Sequence, residues 1–263
     1  MKVCMMQPTF LPWVGYFELI SKCDQFVFLD DFQFSIQSYH QRNRLFVNKE
    51  QVDWYTAPVK RTSFLMPLNE TQTNEEIPWR SKLWKRIQQN YGKARYFKTY
   101  EEVIRKWLLT PARSLADQNI AFIKMICSIL GFRTPFRYSS EYPSQLHRSE
   151  RVLELLRECN SDHYLCARGS FNYMVQDKVF PVEDIVILFQ NHHPVSYDQV
   201  GSPGKFVPYL SILDVLFNVG PEETSRLIMD GTKEWHDWSA MLSLSQEVEE
   251  NDAHCDRRAQ YRR

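Results

Sequence analysis

Two adjacent carboxylates, Asp30 and Asp31, close the apolar run 25–29, and Gln33 follows two residues later. A carboxylate pair at a strand end can hold a hydroxyl-rich ligand, act as a general base or bind magnesium, because such a site gathers oxygen ligands and raises carboxylate pKa values. Either aspartate alone can equally well cap a turn. His40 sits in SYHQRNRL, among Gln41, Arg42, Asn43 and Arg44. Two guanidinium groups and an amide can clamp a diphosphate or carboxylate, and an imidazole that titrates near neutrality can serve as acid or base. The competing reading of a lone histidine in a polar loop is simple solvation. Arg168, Gly169 and Ser170 lie between a strand and a helix, where backbone amides, a hydroxyl and a guanidinium suit an anion, although an N-cap by Ser170 explains the same residues. The doublet His192-His193 before Pro194 has no ligand partner at metal spacing and reads as a turn, so no metal site is expected.

The elements that must position these groups follow from periodicity. Residues 2–6 read as a short strand stopped by Gln7-Pro8, 13–22 as an amphipathic helix and 25–29 as a buried strand. Strand, helix, strand in so short a span is a βαβ unit and implies a parallel sheet. Ligands of such sheets sit beyond the carboxyl ends of the strands, which here carry Gln7, Pro8 and Thr9 together with Asp30 and Asp31. Gly15 inside the helix costs about 1 kcal/mol relative to alanine, so it either packs closely or admits a ligand. Runs 44–47 and 52–59 flank the turn 48–51 as a β-hairpin. The polar stretch 63–78 reads as a mobile surface loop. Helices are expected at 79–90, 99–109 and 114–130, the last ending on Gly131. Further along lie a strand at 135–138, a helix at 148–159, a strand at 163–166, a helix at 171–178, a strand at 185–189 and two helices at 209–217 and 221–230. The fold class is therefore α/β: a parallel-sheet, Rossmann-like N-terminal unit with a β-hairpin insertion and a helix-rich remainder. Residues 1–231 form one domain with a helical segment at 79–130, and 232–263 a polar, disordered tail.

The 263 residues carry 32 Lys plus Arg against 32 Asp plus Glu, which excludes a uniformly basic polyanion binder. Neutrality is a cancellation between regions. Residues 79–113 contain ten basic residues and two glutamates, 10 − 2 = +8, with aromatics interleaved. A helical pair of this kind can accept a nucleoside diphosphate, anionic lipid or RNA, or simply be a solvated face. With no nucleic-acid module present, a small phosphorylated ligand ranks above RNA, and DNA is not expected. Six cysteines without knuckle spacing, no secretory leader and no long apolar run predict free thiols, no membrane span and a cytoplasmic protein.

The stretches QPTFLPWVGYFELI, DQFVFLDDFQF and NRN, with the later FVPYLSILDVLFNVGPE, resemble the WbqC-like proteins over about 220 residues. Proteins of this family are typically encoded among genes for bacterial O-antigen and other surface polysaccharides, so the resemblance implies cytoplasmic sugar modification. The order strand, glycine-containing helix, strand, Gln33-Phe34 is also similar to the opening of HIGH-type nucleotidyltransferases such as pantothenate synthetase, which would bring ATP and magnesium. There Trp13-Val14-Gly15-Tyr16 falls on the His-x-Gly-His site, and both histidines are replaced. Together the resemblances imply transfer of an acyl or aminoacyl group from an activated donor to the amine of a nucleotide-linked sugar. The alternatives are sugar transfer and a non-catalytic scaffold. In the leading reading His40, Asp30 and Asp31 are the catalytic candidates. Gln7, Thr9, Trp13, Gly15, Tyr16, Gln33, Asn43, Arg44, Arg168, Gly169 and Ser170 bind substrate.

Overall fold

The computed structural model describes residues 1–48, 50–60, 65–202 and 204–246. Its centre is a five-stranded sheet in the order β5-β2-β1-β6-β7, built from β1 (Lys2–Met6), β2 (Gln25–Phe28), β5 (Phe136–Tyr138), β6 (His163–Ala167) and β7 (Val186–Gln190). Every pairing in it is parallel. The inner strands β1, β2 and β6 are largely apolar because both faces are covered, whereas the edge strand β5 carries exposed Arg137. Cys4, Phe26, Phe28 and Leu165 point into one core, whereas Val3, Met5, Val27, Tyr164 and Cys166 point into the other, the alternation a pleated strand requires. The first core is closed by α1 (Val14–Lys22), α2 (Trp79–Tyr91), α3 (Phe97–Leu109), α4 (Leu115–Leu130) and α7 (Ile212–Met229). The second is closed by α5 (Arg148–Glu158) and α6 (Phe171–Asp177).

The chain runs outward from β1 through β2 to β5, then returns to the other side of β1 for β6 and β7. The strand order therefore reverses beside β1, and the crevice between the carboxyl ends of β1 and β6 is the switch point where open α/β sheets take their ligands. Between β2 and α2 the chain inserts an antiparallel hairpin, β3 (Arg42–Asn48) with β4 (Gln51–Thr56). Buried Leu45, Phe46 and Tyr55 seat it in the first core beside Ile87 and Tyr91 of α2. Ser114 caps α4 by accepting from the Asp117 amide, and Gly131 ends it at φ 75°. Gly220 (φ 81°, ψ 177°) leaves the helical region and Pro221 restarts it, so α7 is two helices meeting at a kink, in line with the two expected from sequence.

Two expectations are corrected. Residues 65–78 are pinned rather than loose. Leu68 and Thr71 are fully buried, and the amides of Leu68 and Asn69 donate to the carbonyls of Phe32 and Asp30 at 2.9 Å. Polar composition concealed a segment anchored by its backbone; residues 61–64 lie outside the described residues. The start of the tail is also folded. Thr232 and Met241 are buried, Trp238 packs on Phe171 and Phe189, and Phe189 and His236 exchange backbone hydrogen bonds at 2.7 and 3.0 Å. The remainder of the expected disordered tail, 247–263, falls outside the described residues. The five described cysteines are buried free thiols, and no described helix is long and apolar enough to cross a membrane.

Candidate functional site

The chain leaves β1 into the turn 7–12, where Leu11 adopts φ 48°, a conformation that non-glycine residues rarely hold without support. Two buried amides supply that support. Asn43, on β3, donates to the carbonyls of Phe10 and Leu11 at 3.3 and 2.8 Å, and Asn119, on α4, donates to those of Pro8 and His40 at 3.0 and 2.8 Å. The N-terminus of α7 closes the ring, since the Ser211 amide donates to the Arg44 carbonyl and the Ile212 amide to that of Pro12.

This scaffold encloses a cavity of about 410 Å³ at the carboxyl end of β1, within the usual range for small-molecule sites. Thr9, Trp13, Tyr16, Asn43 and Arg44 line it, so the structure brings together five of the expected substrate-binding residues. Tyr39 and Tyr209 complete the wall, each nearly half exposed. Sequence reasoning missed both tyrosines, although Tyr209 lies inside FVPYLS, a motif already singled out. The Trp13 indole meets Tyr209 at 5.3 Å between centroids and the His192 ring edge-on at 4.9 Å. Gly15 now has a definite reason: a Cβ there would fall 2.3 to 2.8 Å from three atoms of the indole. The glycine makes room for Trp13, and Trp13 forms the cavity wall. Arg44 reaches the Tyr209 carbonyl at 3.5 Å, while its buried Nε has no protein partner. Asn43 positions the turn, because both its amide hydrogens are engaged there.

A second cleft of about 390 Å³ is lined by Asp31, Gln33, His147, Arg148 and Arg151, beyond the ends of β2 and β5. The two aspartates separate here. Asp30 is buried and accepts from the Ser139 hydroxyl (3.2 Å), the Ser140 amide (3.0 Å) and the Ser140 hydroxyl (2.7 Å), so it secures the turn Ser139–Glu141. Asp31 faces the cleft, accepts from the Ser139 hydroxyl and lies 3.7 Å from Arg151. Arg151, which sequence reasoning passed over, also donates to the carbonyls of Ser139 (2.8 Å) and Tyr142.

Gln7 joins the cavity to the cleft. Its Oε1 accepts from His40 Nε2 at 3.0 Å, and its Nε2 donates to the Gln33 carbonyl at 3.5 Å. His40 differs from the sequence expectation. It is 6% exposed, its Nδ1 accepts from the Ser35 amide at 3.1 Å, and burial pushes its pKa down to about 4. Neither the solvated loop nor the neutral-range titration inferred from sequence describes it. The unfolded chain, with a histidine pKa of about 6.5, binds the extra proton at higher pH than the folded one. The contribution to stability is therefore complete above about pH 6.5 and is lost as pH falls through the folded value, a difference of about 3 kcal/mol. His40→Gln is expected to remove that part of the stability slope between about pH 6.5 and 4. Equal slopes in denaturation series on both proteins would refute the assignment.

Arg168, Gly169 and Ser170 form a 3-10 turn and line neither the cavity nor the cleft. Ser170 is helical (φ −72°, ψ −24°) and makes no cap, so the N-cap reading is corrected, and the Arg168 guanidinium donates to the Asn191 side chain at 3.4 Å. The His192-His193 doublet, read from sequence as a turn, has a partner that was not foreseen. His192 Nδ1 lies 2.8 Å from the carboxylate of Glu18, which is fully buried on α1 and also accepts from Gln190 and from the amide and hydroxyl of Thr232. Burial pushes the Glu18 pKa up, but these hydrogen bonds outweigh it and hold the carboxyl below its ordinary value. A lone glutamate between Phe17 and Leu19 was the available signal.

The residues do not fit ATP and magnesium held as in HIGH-type enzymes. Gly15 is covered by the indole, Tyr16 donates its hydroxyl to the Gln7 carbonyl at 3.2 Å, and neither supplies a cation to a phosphate. Among the described residues no group of three His, Cys, Asp or Glu side chains is placed to hold a metal ion. Compared with known proteins, residues 7–226 match the model of the WbqC-like protein family. The chain is also 30% identical over 224 residues to the "Uncharacterized protein Rv1507c" of Mycobacterium tuberculosis, covering 84% of this chain and 95% of that one. No solved structure matches it.

Proposed function

The chain belongs to the WbqC-like protein family, and from that premise we propose that it is a cytoplasmic transferase that attaches an acyl or aminoacyl group to the amine of a nucleotide-linked sugar in surface-polysaccharide synthesis. One observation carries the reading: an aromatic-walled cavity with a guanidinium on its rim, at the carboxyl end of β1 in a doubly wound sheet, with a second cleft that holds a carboxylate beyond the ends of β2 and β5. Ring faces of Trp13, Tyr39 and Tyr209 suit a nucleobase or pyranose, and Arg44 suits a phosphate. Two adjoining recesses on one sheet edge suit two substrates, whereas a scaffold needs neither.

In this reading the nucleotide-linked sugar lies in the aromatic cavity and directs its amine toward Asp31, and the activated acyl donor enters the charged cleft. The amine lone pair forms the new C–N bond at the donor carbonyl. The bond to the leaving group breaks with its electron pair on that group, and the Asp31 carboxylate takes the ammonium proton. Arg148 and Arg151 line the same cleft and favour negative charge on the carbonyl oxygen and the leaving group. His40, neutral and hydrogen-bonded on both ring nitrogens, positions Gln7 between the recesses.

Incubating the protein with nucleotide-linked amino sugars and a panel of activated acyl donors is expected to add the acyl mass to the sugar. Asp31→Asn should slow that gain by about 10²- to 10⁴-fold, the contribution of a general base. No mass gain with any pair contradicts the proposal. Release of free nucleoside diphosphate without acylation would favour sugar transfer.

A further inference from the structure

The charge of +8 on residues 79–113 is partly offset in the structure. Half of the ten basic residues face carboxylates: Arg80 with Glu75, Arg86 with Asp53, Lys98 with Glu101, Arg105 with Glu102 and Arg113 with Asp117, at 2.9 to 3.6 Å. Lys93 and Arg95, in the link between α2 and α3, have no ion pair among the described residues and open on a cavity of about 830 Å³. A third cation, Lys205, joins them there from the loop that follows β7. Among the described residues Asp198 is the one carboxylate in that lining, so their charges sum to 3 − 1 = +2.

The far wall is built, although it has no regular secondary structure. Its anchor is Asp214, fully buried on α7, whose carboxylate accepts from Tyr91 of α2 (2.9 Å) and from Tyr197 (2.6 Å) and Gln199 (2.8 Å) of the loop. The Gln199 amide group also spans the loop, donating to the Val207 carbonyl at 3.0 Å and accepting from the Val207 amide at 2.7 Å. Asn218 accepts from the Val200 amide at 3.1 Å. Gly201 lies so close to Phe46 that a Cβ would meet the ring at 2.4 Å. Cations from two distant stretches of chain are thus held around one recess by a network that carries no net ion pair to them.

We infer that this recess is a binding site for a phosphate-bearing ligand, held by Lys93, Arg95 and Lys205 and separate from the aromatic cavity. The site stands independently of the transferase reading, since it uses none of that site's residues. Calorimetric titration of pyrophosphate into the full chain tests it, with a nucleoside diphosphate as a parallel arm. Pyrophosphate is expected to bind, more weakly as salt rises. Lys93→Gln with Arg95→Gln should weaken it by about tenfold per lost cation, whereas Asp198→Asn should tighten it. All three side chains are exposed, so thermal melts of these variants should match the parent. In the part of the binding that Lys93→Gln with Arg95→Gln weakens, which excludes the aromatic cavity, pyrophosphate affinity equal to that of the nucleoside diphosphate identifies the diphosphate as the recognised group, and tighter binding of the nucleoside diphosphate identifies a nucleotide. Either supports the site. No binding by either probe, or binding that these substitutions leave unchanged, would overturn it; Arg44→Ala, in the aromatic cavity, should leave it intact.

Discussion

Glu18→Ala is expected to destabilise the fold by about 3–5 kcal/mol, the cost of removing one partner from a buried charged network. The carboxylate is fully buried and accepts from Gln190 Nε2 at 2.5 Å, from the amide and hydroxyl of Thr232 at 2.7 Å each, and from His192 at 2.8 Å. Alanine leaves those donors facing a dry cavity, and each unpaired donor costs about 1–3 kcal/mol. The three partners come from β7, the loop after it and the segment beyond α7, so one side chain ties the first crossover helix to the last folded stretch of chain. Denaturant titration reads the loss directly. A change below about 1 kcal/mol, the size of an exposed ion pair, would contradict this account of the network.

The second large effect is on ligand binding. Gly15→Ala places a methyl group within 2.3 to 2.8 Å of three atoms of the Trp13 ring, so the indole must leave the cavity wall. A stacked ring contributes about 1–3 kcal/mol, which corresponds to a loss of roughly five- to hundredfold in affinity for a nucleotide-linked amino sugar. The helix itself gains, since alanine is better than glycine in a helix by about 1 kcal/mol. Affinity should therefore fall without a matching loss of stability. Adding Gly15→Ala to Trp13→Ala should cost nothing further, because the two substitutions act through one ring. Full affinity in Gly15→Ala would show that Trp13 is not part of the binding surface.

The parts of this fold that sequence made legible are those with a clear period. Residues 2–28 alternate and repeat strongly enough to give β1, α1 and β2, and with them the sheet edge where Thr9, Trp13, Tyr16, Asn43 and Arg44 meet. Long-range partners were not legible. His40 stands in a polar stretch, and its burial depends on Asn119, 79 residues away, and on Gln7, 33 residues away. Asp30 and Asp31 look equivalent in sequence, yet Ser139 and Ser140 together bury the first, whereas the second is held by Ser139 alone of the two and faces the cleft. Trp238 and Met241 fold the start of the expected tail because the second core offers them an apolar surface, which local composition does not record.

A crystal structure of the complex with a nucleotide-linked amino sugar decides where that sugar sits. A ligand ring is expected stacked on Trp13 or Tyr209, with a phosphate oxygen about 3 Å from Arg44 and the sugar amine turned toward Asp31. A ligand held elsewhere on the protein, with the aromatic cavity vacant, would contradict that placement.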